Sequence, residues 1–334
     1  MGERLGPART ERDDLKLVTG GAGFIGSHVV DGLLARGDDV VVLDDLSTGR
    51  KAFLDDALKT KRTTFIKGDC GKAADMKRAL RDVEEVWHMA ADPDVRAGAT
   101  KPWSNFRDGA VLTFQVLDAM RRADVKRFIY ASSSTVYGEA PIRPTPEESG
   151  PLAPISMYGA SKLAGEAVAS AFVGTFGLQA WVYRFGNVVG PRLTHGVIFD
   201  FHERLLKEAK QLEILGDGTQ TKAYLSTQDC VEGMLHGRDH ADEAYNVYNL
   251  ASDATINVVR IADAVVAAMG LRNVTYKFTG GDRGWKGDVP IMALAIGKMR
   301  RLGWKPRHTS ADAVRMAAES VVAAHKARRK VLTQ

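Results

Sequence analysis

The chain has 334 residues, of which 45% are hydrophobic and 26% are charged, and its formal net charge is +5. This composition is ordinary for a soluble globular protein, and the length is sufficient for two unequal lobes. The sequence lacks the basic stripe that nucleic-acid binding requires, and no apolar run reaches membrane-spanning length. We therefore expect a cytoplasmic protein that binds neither nucleic acid nor membrane, with polar residues 1–14 as a flexible extension.

Three glycines follow the first apolar run with the spacing Gly20-x-x-Gly23-x-x-Gly26, and a helical pattern begins directly after them. Such glycines permit a tight turn, let backbone N–H groups approach a pyrophosphate, and bring the helix close to the strand. Asp44 ends the next apolar run, 18 residues beyond Gly26, where a carboxylate can accept hydrogen bonds from the ribose of an adenosine. The pattern predicts a dinucleotide site.

Short apolar runs alternate with helical patterns through the first half of the chain, which predicts an α/β fold with a Rossmann-like, doubly wound parallel sheet. The predicted strands are Leu15 to Val18, Val40 to Leu43, Thr64 to Ile66, Val86 to Met89, Phe128 to Ala131 and Trp181 to Phe185. The predicted helices are Ile25 to Ala35, Ala73 to Leu80, Phe106 to Arg122, Tyr158 to Phe176 and, near the end of the chain, Ala311 to Lys326.

Beyond Gly186 the alternation degrades into turn-rich sequence, including the segment from Gly280 to Pro290. We expect residues 15–185 to form the cofactor-binding domain, with a later return strand near 224–250. Residues 186–334 are expected to form mainly a smaller, irregular substrate-binding lobe. The two cysteines, Cys70 and Cys230, lack metal-type spacing, so we expect reduced thiols and no metal site.

A candidate catalytic pair is formed by Tyr158 and Lys162, which lie one helical turn apart on one face of a predicted helix. A phenol has a pKa near 10, and a neighbouring ammonium group together with an oxidised nicotinamide can lower it enough for base catalysis. Shortly before this helix, a predicted strand ends in the hydroxyl-rich segment Ser132 to Thr135. Strand ends of such sheets face the ligand crevice, so a serine there can hydrogen-bond a substrate hydroxyl.

These residues carry a family resemblance. The chain resembles an extended short-chain dehydrogenase/reductase, and within that group a nucleotide-sugar 4-epimerase of the UDP-glucose 4-epimerase type, from Lys16 to about Ala324. The matching segments are GGAGFIGSH, VVVLDDLSTG, KGDC, HMAA, ASSSTVYGE, YGASK, RFGNVVGPR, LGDGTQ and GDVP. The glycine loop with YxxxK is typical of the superfamily, and ASSSTVYG with GDVP is typical of its nucleotide-sugar branch.

The resemblance implies a role for each matching residue. Tyr158 is the catalytic acid and base, Lys162 binds the nicotinamide ribose and tunes Tyr158, and Ser133 bridges to the sugar, with Ser134 as the less favoured choice. The implied NAD-binding residues, besides Tyr158 and Lys162, are Gly20, Gly23, Phe24, Ile25, Gly26, Asp44, Asp45, Leu46, Ser47, Thr48, Gly49, Asp69, Cys70, Met89, Ala90, Ala91 and Asn105. The implied substrate-binding residues are Ser133, Asn187, Gly196, Val197, Leu215, Lys222, Arg283, Asp288 and Met292.

The resemblance also separates this chain from related chemistries. Dehydratases of the family carry an Asp-Glu pair, and decarboxylases a glutamate, where this chain has Ser134 and Thr135, and neither side chain can act as a carboxylate acid or base. The substrate half departs from the family pattern. Lys222 replaces a phosphate-binding arginine, and Trp285 replaces another arginine; Arg283 is expected to supply the bidentate fork that Lys222 lacks. Lysine is a point charge and lacks the bidentate fork of arginine.

The sequence thus predicts an NAD-dependent 4-epimerase of a nucleotide-diphosphate sugar that works through a transient 4-keto intermediate. NAD is expected rather than NADP, because the Asp44 carboxylate repels a 2′-phosphate. An epimerase or reductase acting at another carbon or on another nucleotide-sugar is the first alternative, and a non-catalytic dinucleotide sensor is a remote one. The resemblance further implies a homodimer built on the helices Phe106 to Arg122 and Tyr158 to Phe176. Their outer faces are predicted to carry Val116, Ala119, Met120, Ala169 and Phe172.

Overall fold

A computed structural model describes residues 15–332, and the predicted extension 1–14 lies outside the described residues. The strands are β1 (Leu15–Thr19), β2 (Asp39–Asp44), β3 (Thr63–Lys67), β4 (Glu85–His88), β5 (Arg127–Ser133), β6 (Gln179–Phe185), β7 (Asn187–Val189), β8 (Gln211–Ile214), β9 (Thr221–Ser226), β10 (Tyr245–Leu250), β11 (Thr255–Asn257), β12 (Thr275–Phe278) and β13 (Ile291–Met292). The helices are α1 (Phe24–Arg36), α2 (Asp55–Lys59), α3 (Ala73–Ala79), α4 (Pro102–Phe106), α5 (Leu112–Arg122), α6 (Met157–Phe176), α7 (Val197–Lys207), α8 (Thr227–His240), α9 (Val258–Met269), α10 (Gly297–Arg301) and α11 (Ser310–Leu332).

Seven strands form one sheet in the order β10-β6-β5-β4-β1-β2-β3, and every neighbouring pair in it is parallel. The sheet is buried on both sides. Val18 and Ile129 belong to the hydrophobic core on one face, whereas their chain neighbours Leu17 and Phe128 belong to the core on the other. This double burial explains why the strand sequences are continuous apolar runs rather than alternating ones. The predicted doubly wound parallel fold is confirmed.

The second half of the chain contains more regular structure than its turn-rich sequence predicts. The helices α8 and α9 begin at side-chain caps, since Ser226 accepts a hydrogen bond from the Asp229 N–H group and Asn257 from that of Arg260. A smaller sheet is centred on β9, and β10 returns to the edge of the large sheet. A third hydrophobic core lies among α7, α9 and α11. The division into lobes at residue 185 stays a prediction.

The predicted helix Phe106 to Arg122 is interrupted in the structure. The α4 helix runs into α5 through a π-helical segment, Arg107–Val111. A Cβ atom added at Gly109 in this segment would lie 2.2 Å from the Ser161 hydroxyl oxygen, so α6 packs closely against it.

The predicted outer faces of the two dimer helices are wrong for four of five residues. Val116, Met120, Ala169 and Phe172 are buried inside the described chain, because these are the faces that pack α5 and α6 against the sheet and against each other. Ala119 is only partly buried. The exposed aromatic side chains of this region are Trp103, Phe106, Phe114 and Phe176.

Candidate active site

The carboxyl ends of the parallel strands open into one cavity of about 1400 Å³. This volume exceeds the range of about 300–1,000 Å³ usual for a single small-ligand pocket, so two ligands can lie side by side. Most of the residues predicted to bind cofactor or substrate line it. Those that line it are Gly20, Gly23, Phe24, Ile25, Gly26, Asp44, Asp45, Ser47, Thr48, Asp69, Cys70, Met89, Ala90, Ala91, Ser133, Tyr158, Lys162, Asn187, Gly196, Val197, Leu215, Lys222, Asp288 and Met292.

Four predicted residues do not line the cavity: Leu46, Gly49, Asn105 and Arg283. Asn105 is buried, and its amide group donates to the Asp94 carbonyl at 3.2 Å, which ties α4 to the preceding loop. Arg283 pairs with Glu139 at 2.8 Å and donates to the Asp288 carbonyl at 3.0 Å. Its guanidinium group is therefore engaged with protein acceptors, and its binding of a substrate phosphate stays a prediction.

The glycine loop has the close contacts that its spacing predicts. Gly20 has a left-handed backbone with φ of 68°, and a Cβ atom there would lie 2.7 Å from the Ala90 backbone. A Cβ atom at Gly26 would lie 2.1 Å from the Gly20 carbonyl oxygen. Gly23, Phe24 and Ile25 at the start of α1 line the cavity, so the positive end of the helix dipole faces it. No side chain caps this helix end, which leaves its backbone N–H groups available to a ligand. These features fit a bound pyrophosphate.

Asp44 joins the loop after β1 to the loop after β2, at the end of the cavity predicted to hold the adenosine. Its carboxylate accepts hydrogen bonds from the Ala22 N–H group at 2.9 Å and from the Leu46 N–H group at 2.8 Å. Burial raises the pKa of Asp44, and these two backbone bonds act against that rise. Each carboxylate oxygen keeps a free lone pair for a ribose hydroxyl.

Ser133, Tyr158 and Lys162 converge at the centre of the cavity. The α6 helix places Tyr158 in its first turn because the Ser156 hydroxyl caps it, accepting from the Gly159 N–H group at 3.0 Å. Lys162 donates to the Ala131 carbonyl oxygen at 2.7 Å, and its Nζ lies 5.7 Å from the centre of the Tyr158 ring.

Burial sets the protonation of this pair. Burial raises the pKa of Tyr158 to about 12, although a hydrogen bond with Ser133 opposes the rise. Burial lowers the pKa of Lys162 to about 8. The phenol is thus protonated in the ligand-free protein. Additional positive charge at the cavity centre is needed to make it a base near neutral pH.

The Ser133 hydroxyl oxygen already accepts hydrogen bonds from the Thr135 hydroxyl at 2.9 Å and from the Thr135 N–H group at 3.2 Å. With its acceptor positions filled, Ser133 is left to donate its own proton. A hydroxyl with this bonding donates its one proton either to Tyr158 or, when substrate is bound, to a substrate oxygen. Ser134 also lines the cavity.

The substrate end of the cavity is built around an ion pair between Lys222 and Asp288, with Nζ and Oδ1 2.5 Å apart. The Nζ atom of Lys222 also lies 5.1 Å from the centre of the Trp285 ring. Trp285, which stands where the family pattern has an arginine, therefore contacts the lysine but adds no second positive charge. Met292 on β13 pairs in register with Lys222 on β9. A Cβ atom at Gly186 would lie 3.6 Å from the Met292 methyl group.

Other lining residues had no sequence signal that singled them out. His195 packs edge-on against Phe24 with ring centres 6.4 Å apart, and Arg96 pairs with Asp200 at 3.3 Å, which joins the loop after β4 to α7. Outside the cavity, ligand atoms of His202, Glu203 and His325 lie within 4.8 Å of one another. The predicted absence of a metal site is untested.

The comparisons with known proteins agree with this geometry. A family model described as "NAD dependent epimerase/dehydratase family" matches residues 16–251. The chain belongs to the NAD-dependent epimerase/dehydratase family. It is 34% identical over 261 residues to a UDP-glucose 4-epimerase of Mycolicibacterium smegmatis, a match covering 76% of this chain and 82% of the relative.

A UDP-glucose 4-epimerase of Azospirillum brasilense is 31% identical over 326 residues, covering 89% of both chains. A crystal structure of a UDP-galactose 4-epimerase superposes with a TM-score of 0.84 at 38% identity, covering 93% of this chain and 99% of the other. Within residues 15–332, no helix combines the length and apolarity needed to cross a membrane.

Proposed function

We propose that this protein is an NAD-dependent isomerase that inverts C4 of a UDP-glucose-type or UDP-galactose-type nucleotide-sugar. The observation that carries the proposal is the convergence of Ser133, Tyr158 and Lys162 beside a glycine loop built for a pyrophosphate. Relatives of 31% and 34% identity that span most of the chain are named UDP-glucose 4-epimerase. No carboxylate stands at Ser134 or Thr135, the two positions where the family resemblance places the acid and base of a water elimination.

In the proposed mechanism, Tyr158 removes the proton from the sugar 4-hydroxyl through its phenolate oxygen and returns it at the end of the cycle. Lys162, held by the Ala131 carbonyl, supplies the positive charge that stabilises the phenolate. Ser133 donates a hydrogen bond to the reacting oxygen. Bound NAD supplies the hydride acceptor and donor at C4. Because the hydride would be returned to C4, the reaction would have no net redox change, and its return to the opposite face would invert C4.

Lys222 and Asp288 are proposed to contact the nucleotide and pyrophosphate, together with Asn187, Gly196, Val197 and Leu215 along the same wall. The pyrophosphate thereby remains anchored while the keto-sugar turns over. Because Lys222 is paired with Asp288, substrate binding has to share or replace that ion pair. Asp44 supports NAD over NADP, since its carboxylate faces the site where a 2′-phosphate would add negative charge.

The test is incubation with a panel of nucleotide-sugars, with the products identified by NMR. The proposal predicts an equilibrium mixture of C4 epimers without added NADH, and formation of that mixture at least about a hundredfold more slowly by the Tyr158→Phe variant. Inversion at another carbon, or a product formed only with stoichiometric NADH, would instead establish the alternative epimerase or reductase. Binding of NAD with no conversion of any sugar would support the remote alternative, a non-catalytic dinucleotide sensor.

The protein is further proposed to form a homodimer through α5 and α6. Phe114 is 49% exposed and Phe176 is 40% exposed, and both rings pack against the buried Phe172 ring, at 5.9 and 4.9 Å between ring centres. Neighbouring large exposed apolar groups are typical of an interaction surface. Sedimentation of the full chain at micromolar concentration tests this: a species of twice the 36.3 kDa monomer mass is expected, and a monomer alone contradicts it. The cytoplasmic location stays a prediction.

A further inference from the structure

Glu166 is a buried carboxylate that the proposed chemistry leaves without a role. It lies four residues after Lys162 and eight after Tyr158, on the same face of α6. Its side chain is 4% exposed, and it does not line the cavity. A buried charge is costly unless it is paired, so its partners indicate what it does.

Two strands supply those partners. Arg184 on β6 donates to the Glu166 carboxylate through Nη2 at 2.7 Å and through Nε at 3.0 Å. Ser132 on β5 donates its hydroxyl to the same carboxylate. Arg184 also donates to the Tyr137 hydroxyl at 2.9 Å, which in turn donates to Asn249 at 2.8 Å. The carboxylate is therefore fixed from several directions.

The position of Ser132 connects this network to the catalytic groups. Ser132 stands between Ala131, whose carbonyl accepts from Lys162, and Ser133, the proposed bridging hydroxyl. Two consecutive residues of β5 are thus bonded to side chains one turn apart on α6. These bonds fix the end of β5 against the helix that carries Tyr158.

The Glu166 charge also acts on Lys162. The groups that interact with the Lys162 ammonium are Tyr158 and Glu166 on α6, Tyr130 on β5 at 5.1 Å from ring centre to Nζ, and His88 on β4. Burial and the Lys162 charge lower the pKa of His88 to about 3, so His88 is neutral. Glu166, which is itself paired with Arg184, acts against the lowering of the Lys162 pKa by burial.

We propose that Glu166 is a positioning residue for the catalytic pair: it fixes the β5 end through Ser132, and its negative charge, one helical turn from Lys162 on α6, favours the ammonium form of that side chain. This inference rests on the proposed roles of Tyr158 and Lys162. Loss of the Lys162 proton at high pH removes the charge that stabilises the Tyr158 phenolate, so kcat falls as pH rises through the Lys162 pKa.

The first test is Glu166→Gln, which keeps the side-chain shape and an oxygen that accepts from Ser132 but removes the charge. The alkaline limb of the kcat profile is expected to move to lower pH by about one unit. The titration of the Lys162 ε-carbon followed by NMR, assigned with Lys162→Met, should move in the same direction without depending on turnover. An unmoved limb and an unmoved titration would overturn the electrostatic role.

Glu85→Gln is the matched control. Glu85 at the start of β4 is also a buried carboxylate, paired with Arg238 at 2.6 Å and accepting from Trp87 at 2.7 Å, but it lies at the amino end of the sheet. The Glu85→Gln substitution is expected to lower the free energy of unfolding without moving the alkaline limb of the kcat profile. An equal movement of the limb in both variants would show a general effect of a lost buried charge and contradict the proposal.

Two further variants test positioning if Glu166→Gln does not fold. Both Ser132→Ala and Glu166→Asp keep the negative charge at position 166. The first removes the hydrogen bond between β5 and α6, and the second lengthens it. Both are expected to lower kcat severalfold with KM little changed, and values within twofold of the wild-type kcat would overturn the positioning role. If Tyr158→Phe remains active, the proposed function fails instead, which separates the two failures.

Discussion

The two walls of the cavity are constructed differently. The wall predicted to hold the cofactor is built from loops at the ends of parallel strands, where glycines admit close approach of backbone segments, as between Gly20 and Ala90. The substrate wall consists of side chains from separate short elements, and its central ion pair joins Lys222 to Asp288, 66 residues further along the chain. Substitutions that crowd the backbone should therefore lower the affinity of the first wall for NAD, whereas substitutions that change side-chain chemistry should alter the substrate specificity of the second wall.

Tyr158 lies where the two walls meet, and its loss is expected to have the largest effect. Tyr158→Phe removes the acid-base oxygen and little volume, so kcat should fall by about 10²–10⁴-fold while NAD remains bound. Steady-state kinetics together with the content of bound NAD measure this. Retention of more than about a tenth of the wild-type kcat contradicts the assignment.

Met292 tests whether side chains of the substrate wall set specificity. It is 8% exposed and lies between Lys222 and Gly186 in the cavity wall. In the family that the sequence resembles, this position controls room for the C2 substituent of the sugar, and methionine is intermediate in size and flexible. We propose that the wild type favours plain hexoses over N-acetylated ones.

Met292→Ser is then expected to shift the ratio of kcat/KM toward the N-acetyl sugar by about 10–200-fold. The conservative variant Met292→Leu should leave that ratio within about twofold, since its volume is similar. A wild-type preference for the N-acetyl sugar, or an unchanged ratio in Met292→Ser, means that Met292 does not gate the pocket.

Gly26 tests the backbone character of the cofactor wall. The Cβ atom of Gly26→Ala would lie 2.1 Å from the Gly20 carbonyl oxygen, so the loop has to shift. We expect NAD affinity to fall about tenfold and the free energy of unfolding to fall by about 1–3 kcal/mol. Calorimetric NAD titration and denaturant unfolding measure both changes.

Gly174→Ala is the control for Gly26→Ala, because Gly174 also lies in a helix and a Cβ atom there meets nothing within 4 Å. It should stabilise the protein by up to about 1 kcal/mol and leave NAD affinity unchanged. Equal losses of NAD affinity in the two variants would show that crowding at Gly20 is not the cause.

Ser133 and Ser134 distinguish which hydroxyl at the β5 end contacts the sugar. Ser133→Ala removes one hydrogen bond to the reacting oxygen, worth about 0.5–1.5 kcal/mol, so kcat should fall about two- to tenfold. Ser134→Ala should have the smaller effect. The reverse order in steady-state kinetics would assign the bridging role to Ser134.

The cofactor wall could be predicted from sequence because its signals are local. Gly20, Gly23 and Gly26 lie within seven consecutive residues at the junction of β1 and α1, and Tyr158 and Lys162 share a helix face. Short-range backbone geometry therefore determines their relative positions. Glu166 continues that helix face, and its spacing from Lys162 was a signal that could have found it. Asn105 shows the limit of position matching, since its side chain points to the Asp94 loop rather than into the cavity.

The sequence by itself determined the parallel sheet, the glycine loop and the placement of Tyr158 and Lys162 on one helix face, because strand burial, turn geometry and helix periodicity act over a few residues. Only the tertiary structure decided which side chains meet across long separations, including Lys222 with Asp288 and Arg184 with Glu166. It also decided that Val116 and Phe172 face inward. Those outcomes depend on how whole elements pack, and packing brings together residues that share no local pattern.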